Sequence, residues 1–324
     1  MNRRPLPAAR GAEWIAWVAW VAVVAGLGVL ATQAVGTPFA LVAMAQAATP
    51  FAVPVLVVMA VGATAVRRHA LAIAAAFAGL GYVAVTAPLV LAGSGPAAAV
   101  TAPRVSIAAA NLLFENERVD DAADALLALD VDVLALSEVT PEIAAELHRH
   151  PLADEYPHRV ERPAALASGL VVWSRLPLGP VGEQPDLRRA IDTTIVTGDG
   201  LLRLLLVHPP PPVYERTRWR AELRAIPRVV SETAFPTIVL GDFNASHFHP
   251  PFRRMVGSAD LHDVLIDIGR PFTPTWPTDS PLPPFTPLDH IMLQRSVATV
   301  DADVATIPGS DHRAVVATVA FAAD

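Results

Sequence analysis

Eight side chains of the kinds that bind hard metal ions or move protons stand where short apolar runs stop. Asn111 follows the run 105–110, Glu138 follows 133–137, and His208 follows 204–207. Asp242 and Asn244 end the run 237–241, Asp289 stands just before 290–293, and Asp311 and His312 precede 314–321. A strand end delivers a side chain rigidly to the rim of a sheet, where clefts form. A single Asp or Asn in such a place is ordinarily a turn residue. Acids, amides and histidines at one strand end after another are not explained by turn chemistry. Carboxylate and amide oxygens suit Mg²⁺ or Mn²⁺, and histidine serves proton transfer near neutral pH. The chain has no Cys and no Lys. Thiolate nucleophiles, zinc–thiolate sites, disulfides and Schiff-base lysines are therefore excluded.

The elements that must position these groups alternate between strand and helix. Runs 105–110, 133–136, 169–173, 191–196, 201–207, 237–240, 290–293 and 314–321 read as strands. Segments 120–129, 141–150 and 216–231 read as helices, the second opened by Thr140 at the N-cap and Pro141 at the first helical position. This is the pattern of one α/β domain with mixed sheets over 104–324. His208 runs into Pro209-Pro210-Pro211-Pro212, a stiff polyproline stretch that must shape a wall beside it. The proline-rich, aromatic loop 272–285 reads equally as a substrate-facing rim or as a packed surface loop. His247 and His249, flanked by Pro250-Pro251, read as solvent-facing rather than as a second metal site. Arg216, Arg218, Arg220, Arg224 and Arg228, interleaved with Glu215 and Glu222, read as a solvated, salt-bridged helix face.

The ordered set Ala110-Asn111, Leu136-Ser137-Glu138, Val207-His208, Gly241-Asp242-Phe243-Asn244, Leu288-Asp289-His290-Ile291 and Gly309-Ser310-Asp311-His312 resembles the endonuclease/exonuclease/phosphatase superfamily, the deoxyribonuclease I-like metal phosphoesterases. The resemblance implies a four-layer α/β sandwich, two packed mixed β-sheets flanked by helices, with the site at one end of the sheets. Phosphoester hydrolysis needs charge stabilisation on the non-bridging oxygens, an in-line water and help for the leaving oxygen. The resemblance implies that Glu138 is the principal ligand of Mg²⁺ (or Mn²⁺), with Asn111, Asp242 and Asp311 nearby. By the same implication Asp242 positions or deprotonates the attacking water, and Asn244 holds that water or a phosphoryl oxygen. His312 acts as acid/base or as a cation facing the phosphate, Asp289 orients its ring, and His208 contacts the phosphate. A binding module that kept the fold without the activity would be expected to lose one of these positions, and all are present.

Charge divides the chain sharply. Residues 1–103 carry five Arg and one Glu, whereas 104–324 hold nineteen Arg against thirty acids, a net charge of −11. No charged side chain lies between Glu13 and Arg67, nor between Arg68 and Arg104. A span needs roughly 20 apolar helical residues. The expectation is a three-helix membrane anchor over 1–93, with spans at about 14–35, 39–66 and 70–92, then a linker over 94–103 and the catalytic domain over 104–324. The second span is longer than one crossing needs and, with Pro50 and Pro54, reads as kinked, tilted or partly interfacial. Arg3, Arg4 and Arg10, before the first span, and the pair Arg67-Arg68, between the second and third, all fall on one side of the membrane. The positive-inside rule then leaves the catalytic domain outside the cytoplasm, on a multi-pass protein of the cell membrane. Transport paths usually show ionisable residues within the spans, so anchoring in the lipid bilayer is the plainer role. Tight binding of long nucleic acid ordinarily needs a basic footprint. The acidic outer part therefore points to small or lipid-linked phosphoesters as substrate, with a nuclease acting on extracytoplasmic nucleic acid as the alternative.

Overall fold

In the computed structural model, residues 7–37, 39–93, 95–99, 102–198, 200–281 and 283–322 are described. Arg3 and Arg4, and Ser94, Val100 and Thr101 of the expected linker, lie outside them. The chain splits into a helical unit, which runs through Pro88 and also takes in Phe248–Pro250, and an α/β unit made of Leu89–His247 and the residues from Pro251 onward.

The helical unit comprises α1 (Pro7–Val35), α2 (Ala40–Ala47), α3 (Thr49–Ala65) and α4 (His69–Val90). Two stretches, Glu13–Ala34 and His69–Val90, are long and apolar enough to cross a membrane. The second expected span, over 39–66, is instead broken into α2 and α3, bent by 70°. Only if that bent pair counts as one span does the number reach three. Proline explains the break. Pro50 lacks an amide hydrogen and its ring crowds the carbonyl four residues back, so α2 cannot run through it, and it sits in the first turn of α3, where a new helix tolerates it. Val23, Leu56, Ala75, Ala78 and Tyr82 pack inside the unit, while Trp14, Trp17, Phe77 and Leu80 face outward. Gln46, fully buried, is satisfied by Thr32 Oγ1 at 2.8 Å, the Gly36 carbonyl at 3.2 Å and the Thr37 hydroxyl at 2.7 Å. Such closed polar contacts are what an apolar surrounding demands.

The α/β unit contains β1 (Arg104–Asn111), α5 (Val119–Ala128), β2 (Val133–Ser137), α6 (Pro141–Arg149), α7 (Leu152–Glu155), β3 (His158–Arg162), β4 (Leu170–Ser174), β5 (Ala190–Thr197) and β6 (Gly200–Val207). It continues with α8 (Pro212–Ser231), β7 (Thr237–Asp242), α9 (Pro250–Ser258), β8 (Leu261–Asp263), α10 (Val264–Asp267), β9 (Asp289–Gln294), β10 (Val297–Thr306) and β11 (Arg313–Phe321). One sheet has the order β10-β11-β1-β2-β4-β3, the other β5-β6-β7-β9-β8, and both are mixed. Alternation along each strand builds the layers. Ile107, Ala109, Val133 and Ala135 of the first sheet meet Leu204, Leu206, Ile238 and Leu240 of the second in one central core. Ala108, Ala110, Leu134 and Leu136 point the other way, onto Val119, Leu126, Ile143 and Leu147 of α5 and α6. Leu205, Val207 and Val239 likewise pack beneath Trp219, Leu223 and Phe252 of α8 and α9. Helix, sheet, sheet and helix make the expected four layers.

The two parallel pairs set the functional end. β1 runs alongside β2 with Asn111 opposite Ser137, and β6 alongside β7 with Leu206 opposite Leu240. Strands β9 and β11 are antiparallel to these, so they begin where the others finish: Asp289 pairs with Asp242, and Val315 with Ala109.

His247 is buried rather than solvent-facing, as is His249. Pro250 opens α9 where a loop is expected, since proline suits the start of a helix. Asp263 Oδ2 takes His290 Nδ1 at 2.6 Å and His247 Nε2 at 3.1 Å, while Asp263 Oδ1 caps α10 through the Leu265 amide at 2.9 Å. Burial opposes charge on all three. The two histidines nevertheless hold Asp263 below the usual carboxylate range, and Asp263 holds His290 above the usual imidazole range. Burial keeps His247 neutral by lowering its pKa. Asp263 thus contributes stability present above about pH 4 and lost on acidification, and His290 stability present below about pH 6.5 and lost as pH rises through its raised value. His247 acts oppositely to His290, losing stability below about pH 6.5. Replacing Asp263 with Asn removes the anion common to both rings. At pH 7 it should cost about 3–5 kcal/mol, the range for breaking a buried charged pair. Denaturant titration of the full chain in detergent reads this, and an unchanged midpoint would contradict it.

Candidate active site

Backbone geometry at the strand ends aims the acids. Glu138 follows β2 with φ 62°, the left-handed region that turns its side chain away from the strand direction. Gly241 has φ 127°, and a Cβ there would lie 2.2 Å from the Val207 carbonyl oxygen. Only glycine lets β7 approach β6 so closely just before Asp242. Asn244 also adopts positive φ, at 48°, a conformation asparagine tolerates.

The side chains converge. Asn111 Nδ2 donates to Glu138 Oε1 at 2.9 Å and to Asp242 Oδ2 at 3.1 Å, while its Oδ1 accepts from the Leu113 amide at 2.9 Å. Asn111 therefore spaces the two carboxylates. The Phe114 amide donates to Glu138 Oε2 at 3.1 Å. His208 Nε2 lies 3.7 Å from Glu138 and 3.6 Å from Asp242. Asp242 Oδ1 accepts from the Asn244 amide at 2.7 Å, and Asn244 Nδ2 donates to the Pro209 carbonyl at 3.1 Å. His312 Nδ1 bonds Asp289 Oδ2 at 2.7 Å, leaving Nε2 3.8 Å from Asp242 and 3.9 Å from Asp311. Ser310 Oγ ties the arrangement together, donating to the Asn111 carbonyl at 2.7 Å and accepting from the His312 amide at 2.9 Å.

Burial sorts the protonation states. Burial, with Arg189 and His312 adding, pushes His208 down to about 3, so its ring is neutral. Burial, with Asp289 adding, pushes Asp242 up to about 7 against the charge of His312. Burial also opposes charge on His312, but Asp289 and Asp242 outweigh it and raise the group to about 10. Three buried carboxylates, Glu138, Asp242 and Asp289, thus share one cationic ring, and Asp289 Oδ1 has no partner among the described residues. The ligand atoms of Glu138, His208 and Asp242 lie within 4.8 Å of one another, as do those of Asp242, Asp289 and His312. Excess negative charge on oxygen donors fits a hard divalent cation.

All eight expected residues meet at this end of the sheets, Asn244 and Asp311 less buried than the other six. The sequence reading passes over Arg189. It stands just before β5, its carbonyl accepts from the His208 amide at 3.0 Å, and its Nη1 is buried without a partner among the described residues. Its only signal is a basic residue at a strand start. The expected solvated, salt-bridged helix face is present only in part: on α8 Arg218 pairs at 2.7 Å with Glu222, which is buried, and Arg228 at 3.3 Å with Glu232, just past the helix end.

Residues 108–312 match the Endonuclease/Exonuclease/phosphatase family. The chain belongs to this family and is a metal-dependent hydrolase of phosphoric ester bonds. Among solved structures, TDP2 of D. rerio, complexed with single strand DNA product, aligns with TM-score 0.55 at 17% identity, over 67% of this chain and 98% of that one. A family protein from Bacteroides thetaiotaomicron aligns with TM-score 0.55 at 14% identity, over 69% and 100%. The endonuclease/exonuclease/phosphatase from Beutenbergia cavernae DSM 12333 aligns with TM-score 0.53 at 18% identity, over 68% and 72%. At these identities the likeness is one of fold. No curated protein matches the sequence.

The raised pKa of His312 generates a prediction. Its protonated form persists up to about pH 10 because Asp289 and Asp242 favour the charge. Replacing Asp289 with Asn removes one of these anions, so the proton will leave at lower pH. The alkaline limb of the pH–rate profile for phosphoester hydrolysis should shift down by about one unit or more. A limb that stays in place would separate His312 from the rate.

Proposed function

We propose that this chain is a membrane-anchored phosphoesterase that uses Mg²⁺ or Mn²⁺ and acts outside the cytoplasm on small or lipid-linked phosphoesters. The observation that carries the catalytic part is the surplus of buried carboxylate at the common end of the sheets, compensated by a single charged histidine. Glu138, Asp242 and Asp311 would hold the ion, with Asn111 fixing the spacing of the first two. The bound ion would neutralise non-bridging phosphoryl oxygens. Asp242, raised to about 7 and oriented by the Asn244 amide, is suited to accept a proton from the attacking water near neutral pH. His312, held protonated by Asp289, offers Nε2–H to the phosphoryl group or the leaving oxygen. Neutral His208 contacts the phosphate, and Asn244 steadies the water or a phosphoryl oxygen.

The domain division we adopt is the anchor over 1–93, the linker over 94–103 and the catalytic domain over 104–324. A net charge of −11 on the last disfavours a long polyanion, and a tether raises the effective concentration against lipid phosphoesters. One observation favours the nuclease reading: D. rerio TDP2, of the same fold, is complexed with single strand DNA product. The extracytoplasmic location follows if the bent pair α2 and α3 counts as one span, since three crossings put the amino terminus and the Arg67-Arg68 turn on the cytoplasmic side.

Two experiments test this reading on the full chain. Glu138→Gln should lower turnover by orders of magnitude with little loss of thermal stability, because it removes a charge used in the transition state. Hydrolysis that survives in that variant, or under full chelation, would sink the metal assignment. Lipid phosphodiesters and oligonucleotides compared at equal enzyme and physiological salt then decide the substrate, and efficient DNA cleavage with inert lipids reverses our preference. For topology, a phosphatase reporter fused after residue 324 should be active only outside the cell membrane. An inactive reporter would mean two crossings and a cytoplasmic catalytic domain.

A further inference from the structure

The proline-rich loop between α10 and β9 grips both halves of the catalytic end. Thr275, fully buried, uses its Oγ1 to accept from the Leu288 amide at 2.9 Å and the Asp289 amide at 3.2 Å. The Thr275 carbonyl accepts from the Arg313 amide at 2.9 Å, just past His312. The Thr278 amide donates to the Asp311 carbonyl at 2.8 Å, and the Thr278 hydroxyl to the Ser310 carbonyl at 2.7 Å. Trp276 completes the grip with its side chain: Nε1–H donates to Asp311 Oδ2 at 2.9 Å. Its ring packs edge-on to Phe285 at 5.8 Å and lies 6.5 Å from His312.

We propose that Trp276 is a positioning residue of the metal centre, whose indole N–H fixes the Asp311 carboxylate and thereby sets the affinity for the divalent ion. A partly exposed aspartate in the turn before β11 has rotamer freedom to lose. The indole removes that freedom by engaging Oδ2, and it leaves Oδ1 on the side of His312 Nε2, 3.9 Å away. Indole nitrogen can only donate, so Oδ2 is the acceptor in this contact and the carboxylate is held in one orientation. Hydrogen bonds behind a ligand typically change metal affinity by about 10–100-fold when lost. The backbone bonds of Thr275 and Thr278 hold the loop whatever ring stands at 276, so the side chain's task is separable from the loop's fold. This inference rests on the proposed role of Asp311 as a metal ligand.

The test is Mn²⁺ binding without substrate, read by electron paramagnetic resonance on the full chain in detergent. Trp276→Phe keeps an aromatic ring against Phe285 and deletes the donor; it should bind Mn²⁺ about tenfold more weakly. Trp276→Tyr, whose hydroxyl cannot occupy the indole nitrogen's position, should do the same and serves if the first variant does not accumulate. Asp311→Asn should weaken binding comparably. In its background, Trp276→Phe should add nothing, because a residue acting only through Asp311 has no independent effect. Wild-type affinity in both ring variants, or losses that multiply in the double variant, overturns the proposal. Glu138→Gln separates the two readings. If it weakens Mn²⁺ binding while the ring variants do not, the role of Trp276 alone fails; if it too binds normally, the metal reading of the site fails with it.

Discussion

Asp242 and Asp289 face each other directly across the β7–β9 pair, both buried. Like charges directly opposite in an antiparallel ladder destabilise it, and burial makes each charge costlier still. Much of the surrounding structure can be understood as compensation for that one juxtaposition. His312 supplies a positive charge to Asp289, and the Asn244 and Asn111 groups donate to Asp242. The rise of Asp242 to about 7 shows that the compensation is incomplete. Incomplete compensation is what a site built for a cation and a phosphoryl group needs, since full internal pairing would leave it nothing to bind.

The two-sheet architecture makes the juxtaposition possible. Each sheet contributes a parallel pair linked by a crossover helix, β1-α5-β2 and β6-α8-β7, and parallel pairs place both carboxyl ends on one rim. The antiparallel strands β9 and β11 then bring their starting residues to the same rim. Eight polar groups from six separate stretches of the chain become neighbours at that rim. The alternation of Ile107 and Ala109 inward with Ala108 and Ala110 outward keeps the register fixed, because a slip of one residue would turn every side chain to the other face.

That logic explains what was legible. The buried strands are apolar on both faces, so 105–110, 133–136, 201–207 and 237–240 stand out in the sequence, and the polar residue ending each is conspicuous by contrast. The strands that escaped notice are different. His158–Arg162 is polar, Leu261–Asp263 is three residues long, and Val297–Thr306 is a partly exposed stretch in which Asp301 and Asp303 break the apolar run. Pro250-Pro251 conceals a helix start behind a turn signal. The bend between α2 and α3 was foreshadowed by Pro50, but proline in an apolar run signals a kink without giving its angle. The role of the loop 272–285 lies in backbone bonds from Thr275 and Thr278 to residues far along the chain, which composition does not encode.

Residue type alone also fails to distinguish two clusters that share it. Asp263, His290 and His247 form one buried group; Asp289, His312 and Asp242 form another, offset by one position along β9. In the first, one carboxylate serves two rings, Asp263 favouring the charge of His290 while burial disfavours that of His247, and Phe243 and Phe252 pack in T-shaped contact around it. In the second, carboxylates outnumber the charged ring, and Glu138 adds a further one. Strand alternation sends His290 to the closed side and Asp289 to the open one, so adjacent residues in Leu288-Asp289-His290-Ile291 perform opposite tasks. Charge balance, rather than the presence of histidine and aspartate, separates the group that holds the fold from the group that can hold an ion.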